Sequence, residues 1–142
     1  MRPMIKKNAG LGLIVVIALF AVGCGDDDLT SPSTVIGGVW KLQSLEIPGK
    51  GLVQIPIPAN YTVEFKDGGQ VAIKADCNSC SGTYSISGEA MKISAMACTT
   101  AFCGSASFDT AFLAVLNSAN TFGVKDGELT INSLQGIARL RR

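Results

Sequence analysis

Tyr61-Thr62-Val63-Glu64-Phe65-Lys66-Asp67-Gly68-Gly69-Gln70-Val71-Ala72-Ile73-Lys74-Ala75 decides the fold class of this chain. Tyr61, Val63 and Phe65 alternate with polar residues, which is the period of a strand with one buried face. Asp67-Gly68-Gly69 breaks the run with residues that accept the positive φ of a tight turn. Val71 and Ile73 then resume the alternation, so the stretch reads as a β-hairpin. Upstream, Val39–Ile47 has partial alternation and predicts a first strand. Pro48, Gly49, Gly51, Pro56 and Pro58 between the two predict a loop. Downstream, residues 82–87 and 90–95 flank Gly88-Glu89 as a second hairpin. Residues 121–125 and 128–132 flank Asp126-Gly127 as a third, on one of the strongest short hairpin signals. Residues 137–141 alternate and close the chain. One helix interrupts the strands: Phe108, Phe112, Val115 and Leu116 recur at helical spacing. Ser107 or Ser105 can cap its start, Asp109 faces the positive dipole end, and Asn117, Asn120 and Thr121 end it. About eight strands and one helix predict a mainly β (α+β) domain. Its antiparallel sheet should curl into a small barrel with one packed helix.

The 142 residues suffice for one such domain. Histidine is absent, which removes Ser-His-Asp and Cys-His catalytic units and histidine metal sites. A formal charge of +1 supplies no long-range field, so no nucleic-acid partner is expected. Charged residues are only 16% of the chain, and part of the apolar surplus lies at the N-terminus. Arg2, Lys6 and Lys7 precede residues 9–23, which carry no charge. A permanent spanning helix needs about 20 apolar residues, so this run is short for one. A basic start and a short apolar run build a secretory signal peptide. Ala21-Val22-Gly23-Cys24 resembles the lipobox of bacterial lipoproteins, although Ala21 stands where Leu is commonest. That resemblance implies lipidation of the Cys24 thiol, cleavage before it, and a membrane anchor of acyl chains.

Residues 1–23 are accordingly assigned as a lipoprotein signal peptide, 24–36 as a lipidated polar tether, and 37–142 as the β domain. The tether has no periodicity, a like-charge run at Asp26-Asp27-Asp28, and Pro32. Gly25, not Asp, follows Cys24, so the familiar inner-membrane retention signal is missing. The cell envelope is expected, at the periplasmic face of the outer membrane. The acidic triplet resembles surface-export signals of some bacteria; a solvated spacer is the preferred reading.

Cys77, Cys80, Cys98 and Cys103 remain in the domain. In a reducing compartment two such pairs would suggest a tetrahedral zinc site. Export favours disulfides instead. Redox chemistry at Cys77-Asn78-Ser79-Cys80 is a third reading, but the βαβ context of such motifs is missing. No metal and no cofactor are expected. Of the three connectivities open to four cysteines, hairpin register favours a nested one. A turn at Gly88-Glu89 brings Cys80 near Cys98, and Cys77 near the chain just before Cys103.

Cys77-Asn78 with Gly82-x-Tyr84, Thr99-x3-Cys103, and the helix carrying Phe112 and Leu116 resemble the META domain of HslJ-type envelope lipoproteins. Trp40-Lys41-Leu42-x-Ser44 fits the same pattern, so the resemblance runs from about Val39 to Arg142. It implies a small antiparallel β domain with a helix. It places the family's usual cysteine pair on Cys77 and Cys103, leaving Cys80 and Cys98 as an added bridge. The family is linked in general terms to heat shock, drug tolerance, and secretion or motility, and it carries no established catalytic residues. None is therefore assigned.

The expected function is a non-enzymatic, membrane-anchored, stress-related module that binds or stabilises an envelope partner. A pilotin-like assembly chaperone for an outer-membrane protein is the alternative, and would need an apolar groove or cavity. A His-free enzyme is the third class. Asp76 beside Cys77, or Asp67 in a turn, would be its acids, but both read more simply as solvated loop residues.

Overall fold

A computed structural model describes residues 32–142. A single helical turn, α1 (Pro32–Val35), leads into β1 (Val39–Ile47), and a short β2 (Gly51–Gln54) folds back on it. A 3-10 turn (Pro58–Asn60) precedes the hairpin β3 (Tyr61–Lys66) and β4 (Gln70–Ala75). The next hairpin is β5 (Asn78–Ser87) and β6 (Ala90–Cys98). Helix α2 (Asp109–Asn117) follows, then β7 (Ala119–Lys125), β8 (Glu128–Ser133) and β9 (Gly136–Arg141).

All strand pairs are antiparallel, in the order β2-β1-β3-β4-β5-β6-β7-β8-β9, and β1 also pairs with β9. Eight strands thus close into a barrel, with β2 as an extra. One edge of β1 is divided between two partners: Val39–Lys41 faces β3, and Ser44–Ile47 faces β2. β2 lies within the segment that the sequence predicts as loop.

The alternation read from the sequence now has a direction. Val63, Phe65, Leu129, Ile131 and Leu140 point inward and are buried, and α2 adds Phe112, Val115 and Leu116. Burying a side chain of this size contributes roughly 1.5–3 kcal/mol. The β6–β7 seam has a single ladder pair, Ala90 with Thr121, and one further bond from the Phe122 N–H to the Glu89 carbonyl. α2 lies beside the rest of β6, where Met96 and Cys98 face Leu113 and Ala114 across a groove.

Residues 32–36, which the sequence reading places at the end of the tether, pack on the barrel. Val35 is fully buried, and its carbonyl accepts from the Trp40 indole N–H at 2.8 Å. Ile36 bridges Phe65 in parallel. Arg142 donates to the Thr34 and Ile36 carbonyls at 2.8 and 3.0 Å and stacks 4.3 Å from the Trp40 ring centroid. The first and last described segments are thereby latched together over Trp40.

Two glycines are dictated by close approach. A Cβ on Gly136 (φ +136) would drive into the Glu46 carbonyl, and one on Gly82 would lie 2.8 Å from the Ser94 carbonyl oxygen. Gly82 sits where β5 and β6 shift register, opposite Ala95, which takes a left-handed φ of 52. That combination is a β-bulge, and it bends the hairpin at its middle.

Candidate functional site

The sulfur-bearing end of the domain is built on the β4–β5 turn. Cys77 joins Cys103, with Cα atoms 5.5 Å apart, and Cys80 joins Cys98 at 4.1 Å. Cys80 and Cys98 are direct cross-strand partners in the β5–β6 ladder. The short Cα distance is that of a non-hydrogen-bonded antiparallel pair, where side chains come closest. The outer bridge ties the turn to the loop that leads into α2. All four cysteines are thus used structurally, and neither a zinc thiolate set nor a redox dithiol is present. Among the described residues, no group of three Cys, Asp or Glu side chains stands together as a metal set.

Asn78, between the bridges, is 3% exposed. Its amide nitrogen donates to the Ala101 carbonyl at 3.0 Å, to Cys103 Sγ at 3.3 Å and to Asp109 Oδ2 at 3.2 Å. Its oxygen accepts from Thr99 Oγ1 at 3.0 Å and from the Ala101 N–H at 2.8 Å. Thr99 Oγ1 in turn accepts from the Ser79 N–H at 3.0 Å. One buried amide therefore holds β5, the loop after β6 and the start of α2. The sequence reading recorded Asn78 and Thr99 only as motif positions. A polar residue set between two cysteines is the one signal the sequence offers.

Tyr61 fastens the same loop from the other side. Its hydroxyl donates to Asp76 Oδ2 at 3.2 Å and accepts from the Phe108 N–H at 3.0 Å. Its ring meets Phe108 and Phe112 edge-on at 6.3 and 6.1 Å. Neither Ser105 nor Ser107 takes the capping position, which falls on Phe108 and has no side-chain hydrogen bond; Ser107, one residue earlier, accepts from the Asp109 N–H at 3.2 Å.

The two acids considered for catalysis lie at opposite ends of β4, roughly 20 Å apart at about 3.3 Å per strand residue. Asp76 is the Tyr61 partner just described, in a left-handed turn conformation with φ 58. Asp67 lies exposed in the β3–β4 turn near Tyr84. Burial pushes the Tyr84 phenol above its ordinary value, and the Asp67 carboxylate adds to the shift. Tyr84 donates to the Lys66 carbonyl at 3.0 Å and packs edge-on against Phe65 at 5.0 Å. These contacts close the other end of the barrel.

Cys24, the expected lipidation site, lies outside the described residues, as do the segment expected to be a signal peptide and most of the expected tether. Among the described residues, no helix is long and apolar enough to cross a membrane. The surface grooves include one between β6 and α2, of about 560 Å³, and one of about 490 Å³ across the outer face of β7, β8 and β9.

Solved structures share this architecture. An NMR structure of a protein from Burkholderia xenovorans matches with a TM-score of 0.62 at 14% identity, covering 88% of this chain and 96% of that one. A crystal structure of a DUF4847-family protein from Bacteroides vulgatus matches with a TM-score of 0.59 at 14% identity, covering 77% and 94%. At such identities the likeness speaks for the fold alone. No curated protein sequence matches. The META domain pattern matches residues 33–141, nearly all of the described chain and every strand of the barrel, and with the Cys77, Asn78, Thr99 and Cys103 clasp at its centre the chain belongs to the META domain family.

Proposed function

We propose that this META domain is a lipid-anchored, non-enzymatic module of a bacterial cell envelope that binds or stabilises a partner under stress, held at the outer membrane by acyl chains on Cys24. The observation that carries the reading is the use made of the chemically capable side chains. Four cysteines, Asn78, Thr99, Tyr61 and Asp76 are consumed in holding the α2 loop to the barrel. An enzyme leaves such groups facing a substrate; this domain spends them on rigidity. A frame closed by two bridges suits an exported domain working outside the reach of cytosolic reductants.

Mass spectrometry of the mature N-terminus tests the anchor. Acyl chains on Cys24 are expected, and Cys24→Ser should give an unacylated form. An unmodified terminus at another residue would overturn the lipid-anchored reading. Pull-down from envelope membranes with the lipidated protein tests the binding role. A stable partner is expected, whereas turnover of a substrate by the purified chain would overturn the non-enzymatic reading. The groove between β6 and α2, lined by Met96, Leu113 and Ala114, favours one second reading. It is the kind of surface a pilotin-like chaperone would offer to an apolar segment of an outer-membrane protein.

A further inference from the structure

We propose that the groove across the outer face of β7, β8 and β9 binds a neutral polyhydroxylated ligand, a saccharide chain, with Gly123 as its bare floor. The inference deepens the binding reading given above and is independent of the anchor on Cys24.

Gly123 lies in the middle of β7, opposite Thr130 of β8. Glycine weakens a strand interior, so it needs a reason. Gly82 and Gly136 have one, since a Cβ at either would meet a backbone carbonyl. Gly123 has neither excuse: its φ is not left-handed, and nothing lies within 4 Å of where a Cβ would stand. The space above it is open, and it belongs to a groove of about 490 Å³, a size usual for small-molecule sites.

The walls select the ligand. Thr121, Thr130 and Asn132 face outward around Gly123 and are half-buried. Asn132 donates to Thr121 Oγ1 at 3.3 Å, which leaves its amide oxygen and a second N–H for a ligand. Three carboxylates (Glu89, Asp126, Glu128) stand against two cations (Lys125, Arg141). Glu128 and Arg141 already neutralise each other at 2.9 Å. One carboxylate in excess disfavours a phosphate, and so small a net charge has little field with which to hold a polyamine. The rim offers donors and acceptors side by side, which suits adjacent hydroxyls that both give and receive hydrogen bonds. The outer face of β7, β8 and β9 offers a peptide strand no edge, since these strands pair with one another; the lightly paired edge of β7 toward β6 lies at the groove's margin. Adding a strand requires a free edge. The outward side chains also include no aromatic anchor of the kind that dominates protein interfaces.

The test is an NMR titration of the lipidated chain in a detergent without a sugar headgroup. The neutral probes are maltotetraose and chitotetraose, each carried to high millimolar concentration; tripolyphosphate is the charged control. At least one oligosaccharide should shift the amides of Thr121, Gly123 and Thr130 saturably, and tripolyphosphate should not. Gly123→Thr fills the floor with a residue that strands favour. It should melt no lower than the wild type yet bind at least roughly tenfold more weakly. Asn132→Ala, which leaves the strand backbone untouched, should weaken binding similarly and carries the test if Gly123→Thr misfolds. No saturable shift with either oligosaccharide, shifts confined to another face, unchanged binding by Asn132→Ala, or a response to tripolyphosphate alone would each overturn the proposal. The domain could then still bind a protein partner, and the pull-down reports that separately.

Discussion

Asn78→Ala removes the amide at the centre of the clasp while leaving both disulfides in place. Two of its hydrogen bonds, at 3.0 and 2.8 Å, go to the carbonyl and N–H of Ala101, and a third, at 3.0 Å, comes from Thr99. Each is worth about 0.5–1.5 kcal/mol net, and more where the abandoned partner stays buried. Ala101 is itself exposed, so water replaces part of what its main chain loses. The Cys77–Cys103 bridge keeps the loop from leaving altogether. Together these set the expected loss at about 2–4 kcal/mol, a large share of the ~5–15 kcal/mol a domain commands. Urea unfolding at neutral pH reads it as a lower midpoint with an unchanged slope. Asn78→Asp sharpens the test, because it keeps the acceptor and the size. It also sets a carboxylate where the amide now lies 3.2 Å from Asp109 Oδ2. Two carboxylates so close raise the pKa of one in the folded state. A raised folded value means that stability present at low pH is lost as pH rises through it. Asn78→Asp should therefore regain ground on the wild type as pH falls toward about 4. If Asn78→Ala unfolds within about 0.5 kcal/mol of the wild type, the clasp is not what holds the loop, and the reasoning fails.

The two bridges close separations of 26 and 18 residues, so the chain-entropy estimate is about 3 kcal/mol for either alone and less than the sum for both, since they are nested. Cys80→Ala with Cys98→Ala should lower the melting temperature and keep the fold, because the ladder remains; Cys77→Ala with Cys103→Ala should cost more, since it frees the loop, and calorimetry in the same buffer ranks the two. Gly136→Ala should cost more than about 3 kcal/mol or prevent folding, because its Cβ meets the Glu46 carbonyl in the β1–β9 closure; a soluble variant with native melting would contradict the register. The Tyr84 phenol should titrate above its ordinary value of 10.0. A raised folded pKa contributes stability below about pH 10 that is lost as pH rises through it, and Asp67→Asn should lessen the shift, as ring carbon NMR can follow.

The hairpins were legible because period-two alternation and glycine turns are local signals. Tyr61, Val63 and Phe65 point inward whether or not the rest of the barrel is known. β2 was not legible. Leu52 is 59% exposed, and Gly51–Gln54 becomes a strand only because β1 offers it an edge. β5 and β6 run further toward the cysteines than their apolar pattern suggested. Asn78, Ser79 and Ser81 carry no strand signal, and the Cys80–Cys98 bridge and the Asn78 amide extend the ladder there. The end of the tether was not legible for a related reason: Val35 and Ile36 pack on the barrel from between polar residues and glycines, and two adjacent apolar residues set no period. At the candidate site, cysteine pairing followed from hairpin register, while the Asn78 hub and the Gly123 floor depend on three-dimensional neighbours.

Closure through β1 and β9 also sets a timetable. Lys41 pairs with Arg141 and Leu42 with Leu140, so the ladder that seals the barrel joins the first strand to the last. Contacts this far apart in sequence form late and make folding slow. Until residues 136–141 arrive, β8 and much of β1 present open ladders, and open edges recruit other chains. A chain truncated after Ser133 should therefore aggregate rather than populate a loosened monomer. The most vulnerable interval for a folding copy is the wait for residues 136–141.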